Sequence, residues 1–206
     1  MSSIGSKREE PQRKDTVVMF KNPVIERLSR THVSIPIIIF FTYAGGLLYW
    51  SISTIELNPL TIVGLFFVGL TLFTLVEYLA HRYIFHMSVH NNLRKKLQYA
   101  FHGVHHDYPK DKDRLAMPPV MSITFATLLL FGFKLLIGDF VFAFLPGFLV
   151  GYAMYLLVHY IVHAFPPPKN FLRQLWVNHS IHHYKDDSII FGVSSPMWDY
   201  IFRTHK

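Results

Sequence analysis

The chain has no cysteine in its 206 residues. That excludes disulfides, thiolate zinc sites, iron–sulfur clusters and cysteine-ligated haem. It also lacks a Gly-rich phosphate-binding loop of the kind that opens a nucleotide site. Charge is scarce: charged residues make up 16% of the sequence against 51% hydrophobic, and mean hydropathy is +0.27. The balance is apolar for a soluble domain and fits an integral membrane protein with sizeable polar loops. The polar, mixed-charge amino-terminal stretch does not read as a cleaved signal peptide. No repeat recurs at solenoid periods, and the length fits one domain.

What is present is apolar length. Val33 to Ile55 runs 23 residues without a charge, enough to cross a hydrocarbon core of ~30 Å at ~1.5 Å per residue. Glu56-Leu57-Asn58-Pro59 reads as a turn, and Leu60 to Val76 continues in helical register through Glu77 to Ala80. Pro118-Pro119 opens a third apolar run, Val120 to Ile137, and Gly138-Asp139 connects it tightly to a fourth, Phe140 to Phe165, where Pro146-Gly147 predicts a kink. Lys and Arg are absent from both short turns; residues 1–31, 82–117 and the C-terminal tail hold 7, 7 and 5 of the 20. By the positive-inside rule these three segments share the cytoplasmic side, which four spans allow. Residues 1–31 read as a polar, basic segment, partly disordered or interfacial, and 32–206 as one domain with spans near 33–55, 60–80, 119–137 and 140–165.

The remaining signal is histidine. Ten of the thirteen fall in four groups: His81 with His86; His102, His105 and His106; His159 with His163; and His179, His182 and His183. Each group sits beside or shortly after an apolar segment, and all lie on the predicted cytoplasmic side. The two His-x-x-His-His runs place i, i+3 and i+4 on one helical face, and His159 and His163 share a face. His81 and His86, five apart, stand roughly 140° around an α-helix, so they reach different metals or flank one. Imidazole suits iron, copper, zinc or nickel. A zinc site takes three or four protein ligands, so ten imidazoles suggest two metals with about five each, leaving positions open for a small molecule. Glu77 is placed to accept a ring N–H, as are Asp107 and Asn178, although each reads equally well as an ordinary helix-end residue. His32, His90 and His205 fall outside the spacings, with His32 and His205 expected in solvent.

These groups resemble the membrane fatty acid hydroxylase superfamily, which includes sterol desaturases. The stretches Glu77-Tyr78…His81-Arg82-Tyr83-Ile84-Phe85-His86, Arg114-Leu115-Ala116-Met117-Pro118-Pro119 and Phe191-Gly192-Val193-Ser194-Ser195…Trp198-Asp199-Tyr200-Ile201-Phe202 are similar to the fatty acid 2-hydroxylases. The resemblance covers roughly residues 60–206. It implies an all-α integral membrane protein, four transmembrane helices capped by a cytosolic histidine-rich helical domain. It implies two iron ions on the ten histidines, replaceable by zinc in purified protein, and dioxygen as co-substrate. The implied reaction is hydroxylation at C2 of a long acyl chain, free or in a ceramide-type sphingolipid. No haem-domain His-Pro-Gly-Gly is present, so electrons are expected from a separate cytochrome b5-like or ferredoxin-like protein, in a bacterial inner membrane or the endoplasmic reticulum. Arg114, Met117 and Tyr184 are candidates for contact with the lipid, and no nucleic acid is expected. The rival readings are another lipid oxygenase of the superfamily, acting on a sterol or carotenoid, and a non-redox metal-binding membrane protein.

Overall fold

The computed structural model describes residues 18–205, which form helices and their connections, with no strand among the described residues. The disorder expected for the first part of the N-terminal segment concerns residues outside that range. Within the described part of that segment lies a short helix, α1 (Pro23–Leu28), started by Pro23 and by the Asn22 side chain accepting from the backbone N–H of Val24 at 2.9 Å.

Three helical stretches are long and apolar enough to cross a membrane. They are α2 (Ser34–Ser53); α3 (Pro59–Ala80) with the helical turn to Phe85 that continues it; and a stretch of 46 residues, Pro119–Ala164. The last would extend ~69 Å if straight, over twice a hydrocarbon core. It is broken where Gly138 adopts φ +59°, dividing it into α6 (Pro119–Ile137) and α7 (Val141–Ala164), which pack against each other. Here the predicted Gly138-Asp139 connection coincides with the break. α7 runs on through Pro146 as one helix. Leu135 and Leu136 are 88% and 78% exposed, an apolar outer surface that suits lipid rather than water.

The core is the contact of α3 with α7, the most extensive in the molecule, with α2 closing over α7. It depends on the absence of side chains. A Cβ on Gly69 would overlap the Phe144 carbonyl oxygen, and one on Gly147 that of Phe66. The helices therefore touch backbone to backbone, as small residues permit in membranes. One turn on, Phe73 fills the space beside Gly151, edge-on to Phe148 (5.2 Å between centroids) and stacked on Tyr152 (5.5 Å). Beyond the bundle lie α4 (Asn92–Gln98), α5 (Val104–Asp107), α8 (Arg173–Tyr184) and α9 (Met197–Ile201).

Gly147→Leu is expected to force α3 and α7 apart and destabilise the protein by about 1–3 kcal/mol or more. Gly64→Ala, where nothing lies within 4 Å of the added Cβ, should stay within about 1 kcal/mol of the parent. Thermal unfolding in detergent distinguishes the two, and equal effects would show that the glycine contact does not hold the bundle.

Candidate metal centre

α3 does not end as an α-helix. Over His81–Phe85 it widens into a π-helical turn in which the His86 N–H donates to the His81 carbonyl at 3.2 Å. This i→i+5 geometry removes the 140° offset of an α-helix and turns both rings the same way. Their Nε2 atoms are 3.3 Å apart. A second π-helical turn, Tyr99–Gly103, carries His102 into α5.

The ten histidines gather into two groups of five, one of His81, His86, His102, His106 and His182, the other of His105, His159, His163, His179 and His183. Within each group, one ligating atom per residue lies within 4.8 Å of all the others. The single face expected for each His-x-x-His-His run is thus divided. The i, i+4 pair His102 and His106 joins the first group and the histidine between them, His105, the second; α8 does the reverse, sending His182 to the first. Where the groups meet, the His106 and His183 rings stack at 4.1 Å.

Tautomers show what the groups are built to hold. His81 Nδ1 lies 2.5 Å from the Phe191 carbonyl oxygen and His182 Nδ1 2.8 Å from that of Ile189. A carbonyl only accepts, so both Nδ1 atoms carry hydrogen and both neutral rings present an Nε2 lone pair. The two lone pairs face the same His86 Nε2, at 3.3 and 3.0 Å, while His102 Nε2 lies 3.0 Å from both His81 and His106. One N–H cannot serve two acceptors well, whereas a cation accepts converging lone pairs. In the second group the Nε2 atoms of His105 and His159 approach to 2.8 Å and those of His163 and His179 to 2.7 Å. Both ring nitrogens of His183 are buried without a hydrogen-bond partner among the described residues. Burial first, then the neighbouring histidines, holds His102, His105, His179 and His183 well below the ordinary imidazole value. Burial also lowers His182, against the Ile189 carbonyl. These rings are neutral near pH 7, the form that ligates metal. The donor set fits divalent metal.

The carbonyls behind His81 and His182 belong to one taut segment. Ile190 between them sits at φ +57°, a left-handed conformation that costs a β-branched residue about 1–3 kcal/mol. Two buried carboxylates hold it. Asp199 accepts the backbone N–H groups of Phe191 and Gly192, each at 2.8 Å, and the Thr204 hydroxyl at 2.7 Å. Glu77 accepts the N–H groups of Val193 and Ser194 at 2.9 and 2.8 Å, and the Ser194 hydroxyl. A Cβ on Gly192 would fall 2.7 Å from the Asp199 carboxylate, so only glycine lets the chain wrap it.

Glu77 therefore binds backbone rather than the ring N–H expected of it. Asn178 is buried and accepts from Gln174 at 2.6 Å. Met117 packs against the apolar core, Tyr184 is 56% exposed beside His183, and the Arg114 guanidinium is turned to Glu26 of α1 at 2.5 Å. His32, His90 and His205 stand outside both groups. His32 is exposed as expected, but His205 stacks on Tyr200 at 4.3 Å with its Nε2 buried. In the sequence Asp199 stands only as part of the Trp198–Phe202 stretch that carries the resemblance, and nothing in its neighbours marks it as the anchor of a loop.

A family model described as fatty acid hydroxylase matches residues 66–204. The ceramide very long chain fatty acid hydroxylase of Schizosaccharomyces pombe is 38% identical over 143 residues, covering 68% of this chain and 41% of its own length. The fatty acid 2-hydroxylase of Rattus norvegicus is 36% identical over 146 residues, covering 69% and 39%. A dihydroceramide fatty acyl 2-hydroxylase of Arabidopsis thaliana is 32% identical over 184 residues, covering 80% and 76%. The chain thus spans about two fifths of the length of the first two relatives. The solved structure of full-length scs7p, in which only the hydroxylase domain is visible, superposes with a TM-score of 0.82 at 30% identity, covering 91% of this chain and 71% of that one.

Because the buried rings take protons less readily than the 6.5 of ordinary imidazole, the unfolded chain binds more protons than the folded one below that value. Stability is full above it and falls as pH drops. The metal-free protein should lose thermal stability between about pH 7 and about pH 5 when unfolding is followed in detergent. A midpoint that holds or rises over that range would contradict the buried, neutral assignment.

Proposed function

Because the chain belongs to the fatty acid hydroxylase family, we propose that it is a membrane di-iron oxygenase that hydroxylates a long acyl chain at C2, in a fatty acid free or carried by a ceramide-type lipid. The observation that carries this reading is the division of ten histidines, seven buried and three partly buried, into two adjacent groups of five. The same relatives that the sequence matches are named as hydroxylases of fatty acids and ceramides.

The proposed ligands are His81, His86, His102, His106 and His182 for one ion, and His105, His159, His163, His179 and His183 for the other. Iron held by these rings supplies the redox chemistry that activates dioxygen toward an unactivated C–H bond, with electrons from a cytochrome b5-like or ferredoxin-like donor. The chain's own residues position and dry the site. Phe85 stacks on His102 at 5.0 Å, Phe191 packs within 5.8 Å of His81, His86 and His182, and Tyr155 lies 5.3 Å from His159. Because α5 and α8 each contribute to both groups, the spacing of the two ions follows from helix geometry rather than from a loop. Of the three residues expected at the lipid, Tyr184, exposed beside His183, suits a polar head, and Met117 suits the apolar wall leading to it. Arg114 is better explained as the clamp between α1 and the loop before α6.

Four spans are part of the proposal. The break at Gly138 and the basic segments at 1–31, 82–117 and the tail support two hairpins with the histidines on the cytoplasmic face of the endoplasmic reticulum or of a bacterial inner membrane.

Expression with iron supplied, in a host whose lipids lack 2-hydroxy acyl chains, should yield such chains, and His105→Ala or His182→Ala alone should return them to background. Activity preserved in either variant removes that residue from the ligand set. Protein purified anaerobically with two zinc ions per chain despite added iron, and consuming no oxygen with any donor, would sink the oxygenase reading.

A further inference from the structure

We propose that Glu77 and Asp199 are positioning residues for the His81-containing centre alone, so that the two centres hold metal with unequal strength. The inference rests on the metal-centre reading above and goes beyond it by separating the sites.

The asymmetry lies in what stands behind the ligands. In the first group, segment 187–191 backs three rings: the Phe191 carbonyl meets His81 Nδ1, the Ile189 carbonyl meets His182 Nδ1, and an Asp187 carboxylate oxygen lies 3.7 Å from His86 Nδ1. In the second group, the Nδ1 atoms of His159 and His183 are buried with no hydrogen-bond partner among the described residues. A ligating imidazole whose far nitrogen is bonded has its orientation and tautomer fixed and its basicity raised. One whose far nitrogen is unpartnered has neither.

The segment does not hold itself in place. The Phe191 C=O and the Gly192 N–H belong to the same peptide group. Asp199 binds the N–H end of that group and His81 the C=O end. A carboxylate, a peptide and an imidazole thus form one line of hydrogen bonds aimed at the centre, each polarising the next. Glu77, on α3 one turn before His81, holds the next two N–H groups, those of Val193 and Ser194. Four consecutive backbone donors end on two carboxylates 122 positions apart in the sequence. If either lets go, the left-handed Ile190 is free to relax, and both carbonyls leave their rings.

The test uses the full chain in detergent, loaded with zinc and transferred into excess chelator, with metal per chain followed by elemental analysis. The parent should release one equivalent at least about 10-fold faster than the other. His159→Ala should remove the fast phase and His182→Ala the slow one. Glu77→Gln and Asp199→Asn should each speed the slow phase by about 10-fold or more and leave the fast phase unchanged. Ser194→Ala, which keeps both carboxylates, should shift it in the same direction by less. Equal release of both ions from the parent, acceleration of both phases alike, or a slow phase untouched in all three loop variants would overturn the proposal. A parent that takes up no zinc would refute the metal-centre reading itself.

Discussion

The backbone contact between α3 and α7 is the constraint on which the rest depends. The helices meet in parallel register, Gly69 against Phe144 and Phe148, Gly147 against Phe66 and Leu70, and Phe73 against Gly151. His81 lies twelve residues beyond Gly69, and His159 twelve beyond Gly147. At ~1.5 Å per residue both therefore leave the bundle at the same height, ~18 Å above the contact. One histidine of each group is thus delivered to a common level by helices too closely packed to slide. A side chain at either glycine would disturb this register before it disturbed any ligand.

On that base the two groups are interlocked rather than placed side by side. If each His-x-x-His-His run served a single centre, α5 and α8 could drift apart and carry one site each. Because His105 and His182 cross over, neither group closes without both helices. Collecting ten imidazoles has an electrostatic cost, since protonation of any one would put positive charge beside nine potential ligands. Burial meets it by keeping the rings neutral. The price is a cap whose stability is tied to pH and, on the proposed function, to metal.

Much of this was legible in the sequence. The apolar runs, the Gly138-Asp139 turn and the ten histidines follow from period, length and spacing. The grouping did not, because a π-helical turn has no sequence mark: His81-x4-His86 read as two sides of an α-helix and became one side of a wider one. Pro146-Gly147 read as a kink because proline dominates local reasoning, while the role of Gly147 depends on Phe66, which only the fold supplies. Ile190 shows the limit most clearly. A β-branched residue argues against a left-handed turn, and its conformation is held by the backbone N–H groups that follow it, which donate to Asp199 and Glu77 and join residues up to 117 positions apart.

The choice of partners at that loop has a chemical logic. A carboxylate bonded directly to a ligating imidazole draws its proton strongly and adds negative charge beside the metal. Here Asp199 stands one peptide behind His81, Glu77 binds the N–H groups that follow, and His81 and His182 meet neutral carbonyls. The rings are held as firmly, but less of the carboxylates' charge reaches the site. On the proposed function, neutral imidazoles would leave a bound cation most of its charge, which would favour the reduced ion. An enzyme that waits, reduced, for both a lipid and dioxygen, as the proposed function requires, gains from that bias. The peptide group between Asp199 and the His81 ring lets that ring be held rigidly without a carboxylate set directly against it.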